Sequence, residues 1–354
     1  MTTRADRLVA LVDEEELDCL LVSDLTNVRY LTGFTGTSGA AVVSADERLF
    51  LTDFRYVERA ATEVSGEFDR LSPGRDLPKD LAPRLSGRAG FDDENVSVKA
   101  HRRLSEVLPD GVELVPAGGL VERLREVKDE LEVAAMTAAA ELGDVIYAYV
   151  AERGLVGRTE REVAVDLERE MRERGAQDPS FPSIVAAGAH GALPHAEPRD
   201  VEIPRDTLVV LDLGCLVDGM CSDCTRTFAT GELGSLATDV YDLVLNAQLA
   251  ALDAATAGTA CRDVDEAARS LIEEAGRGDQ FGHGLGHGVG LEVHEGPRLT
   301  KTAEGELRAG NAVTIEPGVY VPGELGVRIE DLVIVAEDGL RNLSSFPKTL
   351  VTVD

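Results

Sequence analysis

The sequence predicts an α+β protein of two parts: a smaller N-terminal α/β domain over residues 1–122 and a larger α+β domain over residues 123–354. Three observations predict it. At 354 residues the chain exceeds what one hydrophobic core usually covers. In the first third, short apolar runs alternate with helix-period segments. Beyond the break Pro116-Ala-Gly-Gly119, long helical stretches give way to clustered β-branched runs.

The elements follow in order. Residues 3–16 read as a helix, and 20–22, 40–43 and 49–52 as strands, with a further helix from Phe54. Segments 72–80 and 86–90, rich in Gly, Pro and charge, read as breaks. Residues 121–150 carry apolar side chains at three- and four-residue spacing and read as one long helix. A second helix opens at Thr159, where Glu162 three residues on completes a capping box. Residues 208–214, 226–230, 312–321 and 326–335 read as strands, and 236–257 and 261–275 as helices. Two helices, strands, two helices, strands suits an internally duplicated α+β domain.

Composition excludes several partners. Sixty-five acids against 35 bases give a formal charge of −30, so nucleic acid and anionic membrane surfaces are disfavoured. No uninterrupted apolar run reaches the ~20 residues that span a bilayer, and the N-terminal segment lacks a signal-peptide core. A cytoplasmic protein is the expectation. The bases are 30 Arg and only 5 Lys, and the acids are dispersed along the chain, a pattern resembling adaptation to high salt. Five cysteines, an odd number, suit a reducing compartment. Cys221 and Cys224 form a lone CxxC without a second pair, so they read as small buried side chains rather than a zinc site.

The chemistry is carried by acids in apolar surroundings. Asp212 lies within Leu-Val-Val-Leu-Asp-Leu-Gly, where a carboxylate stays ionised only if paired or bound to a cation. Asp223 follows across a turn at Asp218-Gly219, and a hairpin would set the two acids on neighbouring strands. Glu316 ends an apolar run before Pro317-Gly318, and Glu330 is embedded in Val-Arg-Ile-Glu-Asp-Leu-Val with Arg328 on the same face. Singly, each acid has a plain reading as a satisfied ion pair. Together they repel one another, and few bases flank them.

Between the acid pairs lies a Gly-His segment holding His283, His287 and His294, three of the six histidines, within twelve residues. Its glycines let backbone approach a ligand closely. A phosphate-cradling loop would need a Walker Lys and would not sit among acids. Four carboxylates and an imidazole exceed a single tetrahedral zinc. They suit two divalent ions, with Mn, Co, Zn or Fe fitting such hard donors. The expected reaction is hydrolysis of an amide or ester by a hydroxide held between the ions.

Asp212-Leu-Gly, Ser222-Asp223 with Thr225-Arg-Thr227, Gly286-His-Gly-Val-Gly with Glu292-Val-His-Glu295, Glu316-Pro-Gly and Val327-Arg-Ile-Glu-Asp331 together resemble the M24 pita-bread metallopeptidases. That family includes prolidase, aminopeptidase P and methionyl aminopeptidase. The resemblance implies a C-terminal pita-bread (creatinase/aminopeptidase) fold behind a creatinase/prolidase-like N-terminal domain. It implies metal ligation by Asp212, Asp223, His287, Glu316 and Glu330, with Asp223 and Glu330 bridging and Glu316 also exchanging a proton. His294 would steady the tetrahedral intermediate, His283 would line the substrate pocket, and His195 would stand near the substrate or leaving group. Arg328 and Tyr320 would hold supporting and substrate roles.

Thr52-Asp-Phe-Arg-Tyr56 resembles a segment of the prolidase and aminopeptidase P branch, in whose dimers Arg55 could help to recognise substrate; a local Asp53–Arg55 ion pair is the plainer reading. One departure from the family pattern is His190, where an Asn usually precedes Pro-His; it either offers the substrate another polar contact or, the favoured expectation, lies exposed on its loop. The implied activity is hydrolysis of the Xaa-Pro bond of dipeptides or peptides by a homodimer. Its rivals are methionyl aminopeptidase activity, a creatinase-type hydrolase and a non-catalytic binding module.

Overall fold

The structure is a computed structural model that describes residues 2–71 and 76–354. The chain divides into two compact units, Met1–Arg125 and Glu126–Asp354.

The first unit is α1 (Arg4–Glu14), β1 (Cys19–Val22), α2 (Leu25–Thr32), β2 (Gly39–Val43), β3 (Arg48–Thr52), α3 (Val57–Glu63), β4 (Asp69–Arg70), α4 (Leu77–Leu81), β5 (Arg88–Phe91), α5 (Val98–Ser105), β6 (Glu113–Pro116) and α6 (Leu120–Arg125). Its strands form one sheet in the order β4-β3-β2-β1-β5-β6. Helix α1 begins where Thr3 accepts a hydrogen bond from Asp6 N and the Asp6 carboxylate accepts from Thr3 N. A 3-10 turn, Phe54–Tyr56, precedes α3, so the helix starts later than its first aromatic residue.

Residues 86–90 are not simply a break. Strand β5 pairs in parallel with both β1 and β6, and Gly90 lies inside it. A Cβ there would stand 2.7 Å from Leu17 Cδ1, so this glycine serves close packing rather than a turn. Of the expected break at 72–80, residues 72–75 lie outside the described residues, and Leu77–Leu81 is helical with Pro78 at its start, where a missing N–H costs little.

The second unit contains α7 (Glu130–Arg153), α8 (Glu160–Glu173), β7 (Asp178–Pro179), β8 (Ile184–Ala187), β9 (Leu208–Leu213), β10 (Cys215–Val217), β11 (Met220–Cys221), β12 (Cys224–Ala229), α9 (Ser235–Ala254) and α10 (Cys261–Glu274). It continues with β13 (Gly286–Gly288), β14 (Glu295–Leu299), β15 (Ala312–Ile315), β16 (Gly318–Val321), β17 (Leu325–Arg328), β18 (Asp331–Ala336) and β19 (Gly339–Asn342).

The single helix expected over 121–150 is two. Asp129 accepts from Leu131 N and Glu132 N while Glu132 accepts from Asp129 N, and this capping box starts α7 afresh. The same device, Thr159 with Glu162, starts α8. At 24 residues α7 is long and apolar enough to cross a membrane, but Met136, Ala139, Ile146 and Tyr147 on it are buried. The Tyr147 hydroxyl donates to Cys224 O at 2.6 Å, as befits a core helix.

Helices α7 and α8 pack through Ile146, Val163 and Leu167 on Val185, Val209 and Phe228 of the sheet β12-β9-β8. Helices α9 and α10 pack through Val240, Val244 and Val264 on Val313, Val327 and Val333. Each such fully buried side chain contributes about 1.5–3 kcal/mol relative to exposure. The runs 312–321 and 326–335 are each interrupted, at Glu316 and at Glu330. There the chain changes partner: β15 and β18 pair in the sheet β14-β13-β15-β18-β19, whereas β16 and β17 pair only with each other. Freed from the ladder, Glu330 N donates instead to Thr225 O.

Candidate metal centre

Asp212 points from β9, opposite Thr225 on β12. Between those strands the smaller hairpin β10–β11 turns at Asp218 and Gly219, both with positive φ (50° and 82°), the conformation of a type I′ turn. The hairpin thus returns Asp223 to the cavity of Asp212, although Asp223 sits in the break between β11 and β12 rather than on a neighbouring strand. His287 lies in β13, whose neighbours approach too closely for side chains on either side of it. A Cβ on Gly286 would stand 2.0 Å from Thr314 O, and one on Gly288 1.9 Å from Gly296 O.

These residues converge with Glu316 and Glu330 on one cavity of about 490 Å³. Ligand atoms of Asp223, His287 and Glu330 lie within 4.8 Å of one another. His287 Nε2 is 3.2 Å from Glu316 Oε1 and 3.6 Å from Asp223 Oδ2. The other ring nitrogen, Nδ1, lies 3.0 Å from Gly288 O and donates to it. With Nδ1 committed to the backbone, Nε2 is the nitrogen turned toward the carboxylate oxygens, where a metal ion would take its lone pair.

The acids are held but not neutralised. Arg328 Nη2 donates to Asp212 Oδ2 at 2.6 Å, Thr225 Oγ1 donates to Glu330 Oε2 at 2.7 Å, and Thr314 Oγ1 donates to Glu316 Oε1 at 3.1 Å. Asp212 Oδ1 and Glu330 Oε1 are buried without a hydrogen-bond partner. Burial, then the charges of Glu330 and Asp212, push Asp223 well above the carboxylate range. Burial and the charges of Glu316 and Asp212 do the same to Glu330. Burial raises Asp212 despite Arg328. Burial would raise Glu316 too, but the contact with His287, followed by the His283 and Arg328 charges, outweighs it and brings Glu316 down to about 2. One imidazole relieves only Glu316. Divalent cations at the unpartnered oxygens would relieve all four, so the donor set fits them.

The other predicted residues fall around this floor. His283 Nδ1 donates to Gly284 O, so Nε2 accepts from the Tyr320 hydroxyl at 2.9 Å, and the Tyr320 oxygen accepts from Arg328 Nη1 at 2.8 Å. Burial lowers the His283 pKa and favours that neutral ring. The His294 ring lies 4.4 Å from that of His287, nearly edge-on, and burial followed by the His287 charge lowers its pKa. His195 lines the cavity. Arg55, in the N-terminal unit, makes a two-pronged ion pair with Asp53 at 2.9 and 2.7 Å, the plainer of its two expected arrangements.

His190 is not exposed on its loop. It is buried, with Nδ1 2.9 Å from Glu160 Oε2. Cys221 and Cys224 are buried thiols, as expected, and Cys224 Sγ meets Glu330 O at 3.2 Å. Thr225, Thr314, Phe181 and Arg298 have no role expected from the motifs, though the last two line the cavity. Strand register was the available signal: Thr225 pairs with Asp212, and Arg298 pairs with His287.

Clustered carboxylates with unpartnered oxygens, an imidazole among them and a peptide-sized cavity define a metal-dependent hydrolase. The chain belongs to metallopeptidase family M24, whose family model matches residues 134–337, while a creatinase/prolidase N-terminal domain model matches residues 4–127. It is 33% identical to a Xaa-Pro dipeptidase of Pyrococcus horikoshii, with 99% of each chain covered. It is 38% identical to an uncharacterized peptidase of Bacillus subtilis, over 98% of this chain and 99% of that one. Its structure resembles that of a Xaa-Pro dipeptidase from Bacillus anthracis, with a TM-score of 0.96, 35% identity and 99% of each chain covered. The pita-bread fold and the prolidase-like N-terminal domain expected from the motifs are therefore present. This chain is a divalent-metal-dependent peptidase.

Proposed function

We propose that this metallopeptidase hydrolyses the bond between an N-terminal residue and a following proline, with Xaa-Pro dipeptides as substrates. Convergence of Asp212, Asp223, His287, Glu316 and Glu330 on one cavity supports the chemistry. Full-length similarity to Xaa-Pro dipeptidases supports the substrate. Two divalent ions would be held, one by Asp212 and the other by His287 and Glu316, with Asp223 and Glu330 shared. Manganese is the proposed metal, and cobalt, zinc or iron suit the same donors.

Such cations, when bound, lower the pKa of water and polarise a carbonyl. Glu316 holds and returns a proton at Oε. His294 faces the charge that develops on the carbonyl oxygen. His195 and the Tyr320–His283 pair hold the peptide, and Arg328 holds Asp212 and Tyr320 in place. A bond to proline has no N–H, so the site need offer it no acceptor. Five free, buried cysteines favour action in the cytoplasm, and a homodimer is the proposed assembly. Arg55 is proposed to reach substrate there.

Similarity to an X-Pro aminopeptidase structure from Thermotoga maritima, at 33% identity and a TM-score of 0.90, favours a second reading in which longer peptides are taken. Chelation, dialysis and reloading with Mn, Co, Zn or Fe, followed by assay of Ala-Pro, Ala-Pro-Ala and Met-Ala-Ser, separates these. Fastest cleavage of Ala-Pro is expected. Preference for Ala-Pro-Ala transfers the assignment to the aminopeptidase, and preference for Met-Ala-Ser to the methionyl branch. A protein that holds no metal and gains no activity belongs with the creatinase-type or binding relatives.

A further inference from the structure

Glu160, the first residue of α8, has a side chain only 1% exposed yet belongs to no part of the metal centre. Its carboxylate gathers two distant points of the chain. On one side it accepts from Ala187 N at 3.0 Å and from His190 Nδ1 at 2.9 Å. On the other it accepts from Arg199 N, Nε and Nη2, each at 3.0 Å. Between those points runs the loop that supplies Pro194, His195, Ala196, Glu197 and Pro198 to the cavity wall.

We infer that Glu160, His190 and Arg199 form a clamp that positions the substrate-facing wall carrying His195. The inference rests on the proposed peptidase reading for what the wall touches, but its geometry stands alone. The loop is seated as well as tied. The turn Gly188–Ala192 lies so close to β17 that a Cβ on Gly326 would stand 1.8 Å from Gly191 O. Arg328 Nη1 also donates to Pro194 O at 3.2 Å, so the guanidinium that holds Asp212 touches the middle of the same wall. Losing the tie at His190 frees the entry side of the loop, and no proposed metal ligand lies on that loop.

The clamp also accounts for the residue at 190. An asparagine Nδ2 stands the same number of bonds from the backbone as a histidine Nδ1, so either residue can donate to Glu160 from this position.

The test compares His190→Ala with His190→Asn in the metal-loaded enzyme, by hydrogen exchange over residues 188–199, by metal content and by Ala-Pro kinetics. His190→Ala is expected to lose protection in that segment and to raise KM by roughly ten-fold, with metal content unchanged. His190→Asn is expected to restore both. Unchanged protection in His190→Ala, or a His190→Asn enzyme that behaves like it, overturns the clamp. If the parent enzyme does not cleave Ala-Pro, the substrate reading fails on its own, and hydrogen exchange still decides the clamp.

Discussion

Arg328 Nη2 lies 2.6 Å from Asp212 Oδ2, while Asp212 Oδ1, buried in the same cavity, has no partner. One carboxylate is thereby divided, with one oxygen committed to the protein and the other turned to the site. Burial raises the pKa of Asp212, and the Arg328 charge is the largest effect opposing it.

Arg328→Met should therefore raise Asp212 further and let protons compete with metal. The expected outcome is an acid limb of kcat/KM moved to higher pH, with metal affinity on that limb weakened about ten-fold for each pH unit it moves. Metal titration across pH checks it. Unaltered affinity would show that the guanidinium does not control the ligand.

Apo and holo stability should diverge with pH. Asp223 and Glu330 have folded-state pKa values well above their ordinary range. The apo protein binds their protons more tightly than the unfolded chain does, so it is most favoured at low pH by these groups. That stability is lost as pH rises from the ordinary carboxylate range through the raised values. Glu316 acts oppositely, since a value of about 2 confines its change to more acid conditions, below its ordinary 4.5. Melting of chelated protein from pH 5 to 8 should show a falling Tm, and added divalent metal should restore it most at pH 8. A Tm that rises with pH in the chelated protein contradicts the assignment.

Much of this site was legible because acids in apolar runs carry an electrostatic contradiction visible in one dimension. Asp212 within Leu-Val-Val-Leu is such a case, and Glu330 another. The strand breaks at Glu316 and Glu330 were less legible, since an apolar run does not say which partner strand it will join. Asp129 with Glu132 was a readable helix start, overridden by a longer apolar periodicity. Position 190 misleads for a different reason: loops are usually exposed, and what buries this one is Glu160, thirty residues earlier in the chain, and β17, far later in it.

Asp223→Ala should abolish turnover and lower metal content together. Its oxygen lies with a His287 ring nitrogen and a Glu330 oxygen inside the 4.8 Å cluster, so its loss removes a donor that both ions are proposed to share. Elemental analysis after dialysis is the check, and retained turnover would defeat a two-ion centre.

His294→Ala should separate chemistry from ligation. The ring stands beside His287 but outside the cluster of Asp223, His287 and Glu330. Loss of a contact made chiefly in the transition state predicts kcat lower by ~10²-fold with metal retained. Metal lost in proportion to activity would make His294 a ligand instead.

The charge of −30 predicts how the whole molecule answers to salt. Its acids outnumber its bases along the whole chain, and in dilute buffer their repulsion acts across the folded surface. Raising ionic strength from about 0.15 M to 1 M shortens the screening length from ~8 to ~3 Å, which removes most repulsion between exposed groups. Pairs such as Arg226–Asp331, 2% and 0% exposed, are screened far less and should persist. Screening therefore subtracts more repulsion than attraction, and Tm is expected to climb with KCl toward a plateau near molar concentration. Sodium and potassium chloride should act alike if screening is the cause. Full stability in dilute buffer, with no gain on adding either salt, would show that the acidic surface is no adaptation to high salt.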